Sequence, residues 1–201
     1  MTTSTLPTHR YSPKSNWMAP TGLLLTGNFF VLMLWHYGLV QAQENHVLEL
    51  AQCAFLALAC GVCSVRAWHL AKISLNLNFL LHTGLALLSY SFILREVDID
   101  RLGTAPAWAS LEQGLRLFGV ALWLALLIFV APRVRQLWAQ RAIMFKKLMV
   151  ILAMMGGAFL LASWPFDKQV FTVLPYLTSQ FIEELLELNG CMVLFFSSLS
   201  D

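Results

Sequence analysis

The chain has 201 residues, of which 58% are hydrophobic and 12% charged, and its formal net charge is +2. Soluble domains run at roughly 45–50% apolar and about 25% charged, so too few polar side chains are present here to cover a water-soluble globule, and lipid is the expected solvent for much of the surface. The apolar content excludes disorder, four cysteines do not make a disulfide scaffold, and the small net charge gives no expectation of nucleic-acid binding.

A helix crossing about 30 Å of hydrocarbon needs roughly 20 apolar residues. Residues 1–19 read as a short polar cytoplasmic tail, and residues 20–201 as a transmembrane domain of about six such spans. The first covers residues 21–40 and follows Pro20, which tolerates a helix N-terminus because its missing N–H has no helical partner there. With no small-residue cleavage site behind it, it reads as an uncleaved span. The second covers 47–67, and the third, 75–94, stops at Arg95-Glu96. The fourth, 115–130, is expected to end at Pro132, and the fifth, 148–164, at Pro165, since a proline ring cannot continue a helix. The sixth, 181–199, carries three glutamates in its first two turns. No alternation of period two recurs, so a membrane barrel is not expected. The fold class is all-α, a polytopic transmembrane helical bundle.

Orientation follows the distribution of Lys and Arg between loops. With the N-terminus in the cytoplasm, the inner segments hold Arg10, Lys14, Arg66, Lys72, Arg133, Arg135, Arg141, Lys146 and Lys147, and only Arg95, Arg101, Arg116 and Lys168 fall outside. Both termini are then cytoplasmic. All the acids except Asp201 collect on the outer side, giving a surface able to attract cations or basic groups.

Three segments bring carboxylates to that outer boundary. His46 and Glu49 share a helix face at the start of the second span. Arg95-Glu96-Val97-Asp98-Ile99-Asp100-Arg101 closes the third, and Glu183-Glu184-Leu185-Leu186-Glu187-Leu188-Asn189 opens the sixth. Ionisable groups within a span are costly and face the bundle interior or water. The functional reading is therefore a polar pocket open to the outside, binding through Glu49, Arg95, Glu96, Asp98, Glu184, Glu187 and Asn189. Glu96, Asp98, Glu183 and Glu187 are its candidate acid/base residues. The structural alternative is that acids near a helix start complement its dipole, with Ser179 as N-cap, while the Arg95–Arg101 loop pairs its own charges. His46 and Glu49 are weak candidate metal ligands. Neither the Glu-x-x-His pairs of di-metal bundles nor H-E-x-x-H occurs, and the Asp98-Ile99-Asp100 segment lacks the glutamate of a calcium loop. The sequence leaves the cofactor unknown; a b-type haem lacks an obvious second histidine at the depth of His82.

Other features read as packing. Cys60-Gly61-Val62-Cys63 has no second pair or redox-fold context. Asn28, Asn78 and His82 suit interhelical hydrogen bonds, and Gly156-Gly157 with its alanine neighbours marks a close helix seam. The segment from Arg133 to Lys147 is basic and amphipathic, suited to an anionic leaflet. No P-loop, G-x-G-x-x-G, G-x-S-x-G or Ser-x-x-Lys is present.

The Arg95-Glu96-Val97-Asp98 ending and the Glu183-Glu184-x-x-Glu187 opening resemble the pattern of small uncharacterised polytopic inner-membrane proteins of bacteria. The resemblance implies a bacterial cytoplasmic membrane location, and it supplies no reaction, substrate or cofactor. The Glu-Glu-x-x-x-Arg motif of CAAX-type proteases is not met, because the arginine is missing after Glu183-Glu184. The expected function is a membrane binding or accessory protein whose partner is a lipid headgroup, a cation or another membrane protein. The alternatives are an enzyme acting on a lipid-linked substrate at the outer leaflet, and a small transporter component.

Overall fold

A computed structural model describes residues 18–38, 46–73, 75–97, 106–170 and 174–200. Among the described residues there is no strand. The helices are α1 (Met18–His36), α2 (His46–Ile73), α3 (Leu77–Glu96), α4 (Pro106–Val130), α5 (Val134–Ala139), α6 (Arg141–Met144), α7 (Leu148–Asp167) and α8 (Tyr176–Leu199). Four helical stretches are long and apolar enough to cross a membrane: Val47–Ile73, Leu77–Glu96, Pro106–Ala139 and Leu148–Asp167. The other two expected spans fall outside that set for different reasons. The apolar part of α1, Thr21–His36, is shorter, and α8 carries Glu183, Glu184 and Glu187.

Several ends differ from the expectation, each for a local reason. Asn76 caps α3, its side chain accepting from the Phe79 amide at 3.1 Å. α4 starts at Pro106, nine residues before Leu115, because proline fits the first helical position. Pro132 does not stop the chain. It sits in a 3-10 turn, Ala131–Arg133, that leads into α5, and the Arg133 guanidinium donates to the Phe129 carbonyl at 2.7 Å. α7 likewise runs through Pro165 to Asp167; with so few residues after the ring, little of the hydrogen-bond ladder is lost. Ser179 is not an N-cap. Pro175 holds that position, without a side-chain bond, and Ser179 lies one turn inside, donating to the Phe166 carbonyl of α7 at 3.2 Å.

α8 is the centre of the bundle. It packs most extensively against α7 and α2, and α1 also lies on it; α3 packs on α2, and α4 lies outermost against α3. Every residue from Glu187 to Leu194 is buried, whereas Gly119 is the one buried residue of α4. The helix with three glutamates is the most buried, and the strongly apolar α4 the least among the four apolar stretches. A helix facing lipid must be apolar all round, so the helix carrying charges takes the interior. Hydrophobic core residues Leu56, Cys63, Leu85, Leu160, Cys191 and Leu194 join α2, α3, α7 and α8, and the described cysteines are all free thiols.

Lipid tails are as apolar as leucine, so helix association in a bilayer rests on close packing and interhelical hydrogen bonds. Both are present. At the expected small-residue seam, Gly156 of α7 meets Gly190 of α8, and Gly157 beside it has open space. α4 is held to α3 by Tyr90, which donates to the Leu115 carbonyl at 2.9 Å, and by Trp123, which donates to Ser91 at 2.9 Å. Asn28 and Asn189 exchange two amide bonds, at 2.6 and 2.7 Å, joining α1 to α8. Trp35 stacks on Phe181 further along the same contact, with ring centroids 4.4 Å apart. Because α1 has few other contacts, a double-mutant cycle of Asn28→Leu and Asn189→Leu, followed by detergent unfolding, is expected to return a coupling of about 0.6–2 kcal/mol. A coupling near zero would leave the stacked rings as the anchor of α1.

Candidate functional site

The start of α2, the end of α3, the end of α7 and the first half of α8 converge at one end of the bundle. Between them lies a cavity of about 700 Å³. Its wall carries six carboxylates, Glu49, Glu96, Asp167, Glu183, Glu184 and Glu187, against two cationic side chains, Arg95 and Lys168. One to two turns closer to the middle of the bundle the lining becomes apolar, with Leu88 and Phe92 on α3 and Gly157, Leu160 and Leu161 on α7.

Glu187 is the deepest of the carboxylates, with its side chain 8% exposed. The Arg95 guanidinium donates to its Oε1 at 2.5 Å and also pairs with Glu96 at 2.6 Å. The Ser163 hydroxyl lies 3.0 Å from the same Oε1 and 2.8 Å from the Leu160 carbonyl, so its single hydrogen serves one or the other. Glu184 is held from the other side: the fully buried Gln52 donates to its Oε2 at 2.8 Å. Asp167 pairs with the neighbouring Lys168 at 2.6 Å. Glu49 and Glu183 have no cationic partner within ion-pair distance among the described residues.

The arrangement brings together Glu49, Arg95, Glu96, Glu183, Glu184 and Glu187 from the expected set. Asn189 is not in the cavity wall; it pairs with Asn28 towards α1. Asp98 lies outside the described residues, as do Asp100, Arg101 and the His46 side chain. Among the described residues no three His, Cys, Asp or Glu side chains are grouped to hold a metal ion. Asn78 and His82 do not extend this cavity. They line a separate one of about 350 Å³ with Arg66, His69 and Lys147.

Gln52, Ser163, Trp164 and the Asp167–Lys168 pair are part of the site, and sequence reasoning did not assign them to it. Gln52 carried a usable signal. It is three residues after Glu49 on an otherwise apolar helix, on the face that must turn inward if Glu49 does. Ser163 carried none, since a lone serine beside small residues reads as packing.

Six acids facing two cations across a low-dielectric wall set up a negative potential at the mouth of the cavity. The apolar stretch below can accept an alkyl chain or a ring. Together these suit a cationic group attached to an apolar body. No protein-family model, curated protein or solved structure matches the chain.

Proposed function

We propose that this is an integral membrane binding protein of the bacterial cytoplasmic membrane, spanning it six times with both termini in the cytoplasm. Its acidic cavity opens to the outer side and holds the cationic headgroup of an amphiphile, or a basic residue of a membrane partner. The observation that carries the reading is the excess of four carboxylates over cations around a cavity of about 700 Å³. The collection of nine of the thirteen Lys and Arg residues in the segments assigned to the inner side supports the orientation.

A long-chain alkylammonium and an uncharged amphiphile of equal chain length, titrated into the protein in nanodiscs of zwitterionic lipid, test the reading. The ammonium compound is expected to bind at least about tenfold more tightly, and Glu183→Gln/Glu184→Gln to remove most of that difference, one tenfold step corresponding to about 1.4 kcal/mol. Equal binding of the two probes rules the reading out, as does undiminished preference in the double variant.

A membrane enzyme acting on a lipid-linked substrate is the second reading, favoured by the contact between the Ser163 hydroxyl and Glu187. It ranks lower because Ser163 is 1% exposed and so is closed to a substrate.

A further inference from the structure

At the other end of the bundle, α2, α3 and the start of α7 enclose the smaller cavity, of about 350 Å³. Its polar lining is Arg66, His69, Asn78, His82 and Lys147, with no carboxylate among them. Lys147 is the residue on which α7 begins. It makes no side-chain cap bond, and the first turn of α7 holds no acid. The amides of Leu148 and Met149 have no acceptor among the described residues, and Met149 also lines the cavity. A helix of 20 residues thus begins at this cavity with free N–H groups and the positive end of its dipole uncompensated.

The surrounding side chains add donors of the same kind. Lys147 has no ion-pair partner and the Asn78 amide no hydrogen-bond partner among the described residues. The Arg66 guanidinium donates to the Leu199 and Ser200 carbonyls at 3.2 and 3.1 Å, which fixes its charge beside the end of α8. His82 is 6% exposed; its Nδ1 donates to the Asn78 carbonyl at 2.8 Å, and its Nε2 has no partner among the described residues.

We propose that this cavity binds a phosphate group, held by Lys147, the Asn78 amide and the first-turn amides of α7, with Arg66 adding positive charge. Donors arriving from three helices match an anion with several terminal oxygens better than a planar carboxylate, and a helix N-terminus with a lysine beside it is a recurrent phosphate-binding arrangement. The volume exceeds what a bare phosphate ion requires. The phosphate therefore comes with an ester group, such as a lipid headgroup, or from solution.

The test uses the full chain in phosphatidylcholine nanodiscs, with phosphatidic acid as the added probe and native mass spectrometry as the readout. One phosphatidic acid per chain is expected to be retained over phosphatidylcholine. Lys147→Gln is expected to weaken retention about tenfold, the scale of one lost charge-assisted hydrogen bond. Asn78→Ala should weaken it several-fold, and Lys146→Gln, the same charge loss one residue away and outside the lining, should leave it unchanged. Inorganic phosphate separates the sources: displacement of the lipid at millimolar concentration assigns the site to a soluble phosphate compound, and resistance to it assigns the site to the lipid. Retention no better than that of phosphatidylcholine overturns the proposal. An equal loss in Lys146→Gln also overturns it, because attraction would then come from diffuse surface charge. If Lys147→Gln does not fold, Lys147→Arg, expected to keep retention within about threefold, and Asn78→Ala decide the matter.

Discussion

Arg95→Met is expected to destabilise the bundle by about 2–4 kcal/mol, near the lower part of the range for removing one partner of a buried ion pair. The arginine side chain is 47% exposed, which moderates the effect, but the Glu187 side chain is 8% exposed and cannot turn to water when its partner goes. Arg95 also neutralises Glu96, whose side chain is 12% exposed, so the substitution strands two carboxylates at once. The diagnostic result is the rescue. Adding Glu187→Gln to Arg95→Met removes the deeper stranded charge while keeping an acceptor for the Ser163 hydroxyl, and is expected to restore about half of the lost stability. Glu96→Gln on top should restore most of the remainder. Unfolding by titration with SDS from mild detergent measures all four proteins. A loss below about 0.5 kcal/mol for Arg95→Met, the scale of an exposed surface pair, would show that the carboxylates reach water and that the arginine is a rim residue rather than the centre of the network.

That network shows where sequence reading succeeds in a membrane protein and where it stops. The helices were legible because an apolar run in lipid has to satisfy its own backbone, and the runs ending at Arg95-Glu96 and beginning near Leu148 leave little choice. The topology also placed Glu49, Glu96, Glu183 and Glu187 at one end. Their convergence on one cavity was not legible, since periodicity says little about neighbours when nearly every face of a helix is apolar. Gln52 and Glu184 are 132 residues apart, and nothing local to either marks the other. The proline ends failed for a related reason. Pro132 and Pro165 each remove one amide donor as expected, yet Pro132 sits in a 3-10 turn that leads into α5 and Pro165 lies two residues from the end of α7, so the chain runs on past each ring. The central place of α8 is the largest lesson. It carries three glutamates within an expected span, and it is buried because its polar groups, Glu187 and Asn189 among them, need partners that lipid does not supply.

Gly156→Ala and Gly190→Ala should each cost about 1–3 kcal/mol, the range for forcing extra atoms into a close-packed contact. A Cβ on Gly156 falls 2.9 Å from both the Gly190 carbonyl oxygen and Leu194 Cγ, and one on Gly190 falls 2.8 Å from Leu160 Cγ and 3.0 Å from the Gly156 carbonyl oxygen. Leucine tips can give way, but a backbone carbonyl moves only if its helix moves. Each substitution therefore pushes α7 from α8. Gly157→Ala is the matched control: nothing lies within 4 Å of a Cβ there, so it is expected to be neutral or stabilising in the same SDS titration, as alanine favours helix over glycine. The seam also sets the site. Ser163 and Glu187 meet seven residues further along α7 than Gly156, about 10 Å at the helical rise. A separation forced at the glycines is expected to lengthen the Ser163–Glu187 contact and widen the cavity between α7 and α8. Gly156→Val, which adds more bulk, should then lose the preference for an alkylammonium amphiphile along with stability, whereas Gly157→Ala keeps its stability. If Gly156→Val keeps the preference at wild-type affinity, the cavity holds its shape without the seam, and the carboxylates of α2, α3 and α8 alone define the site.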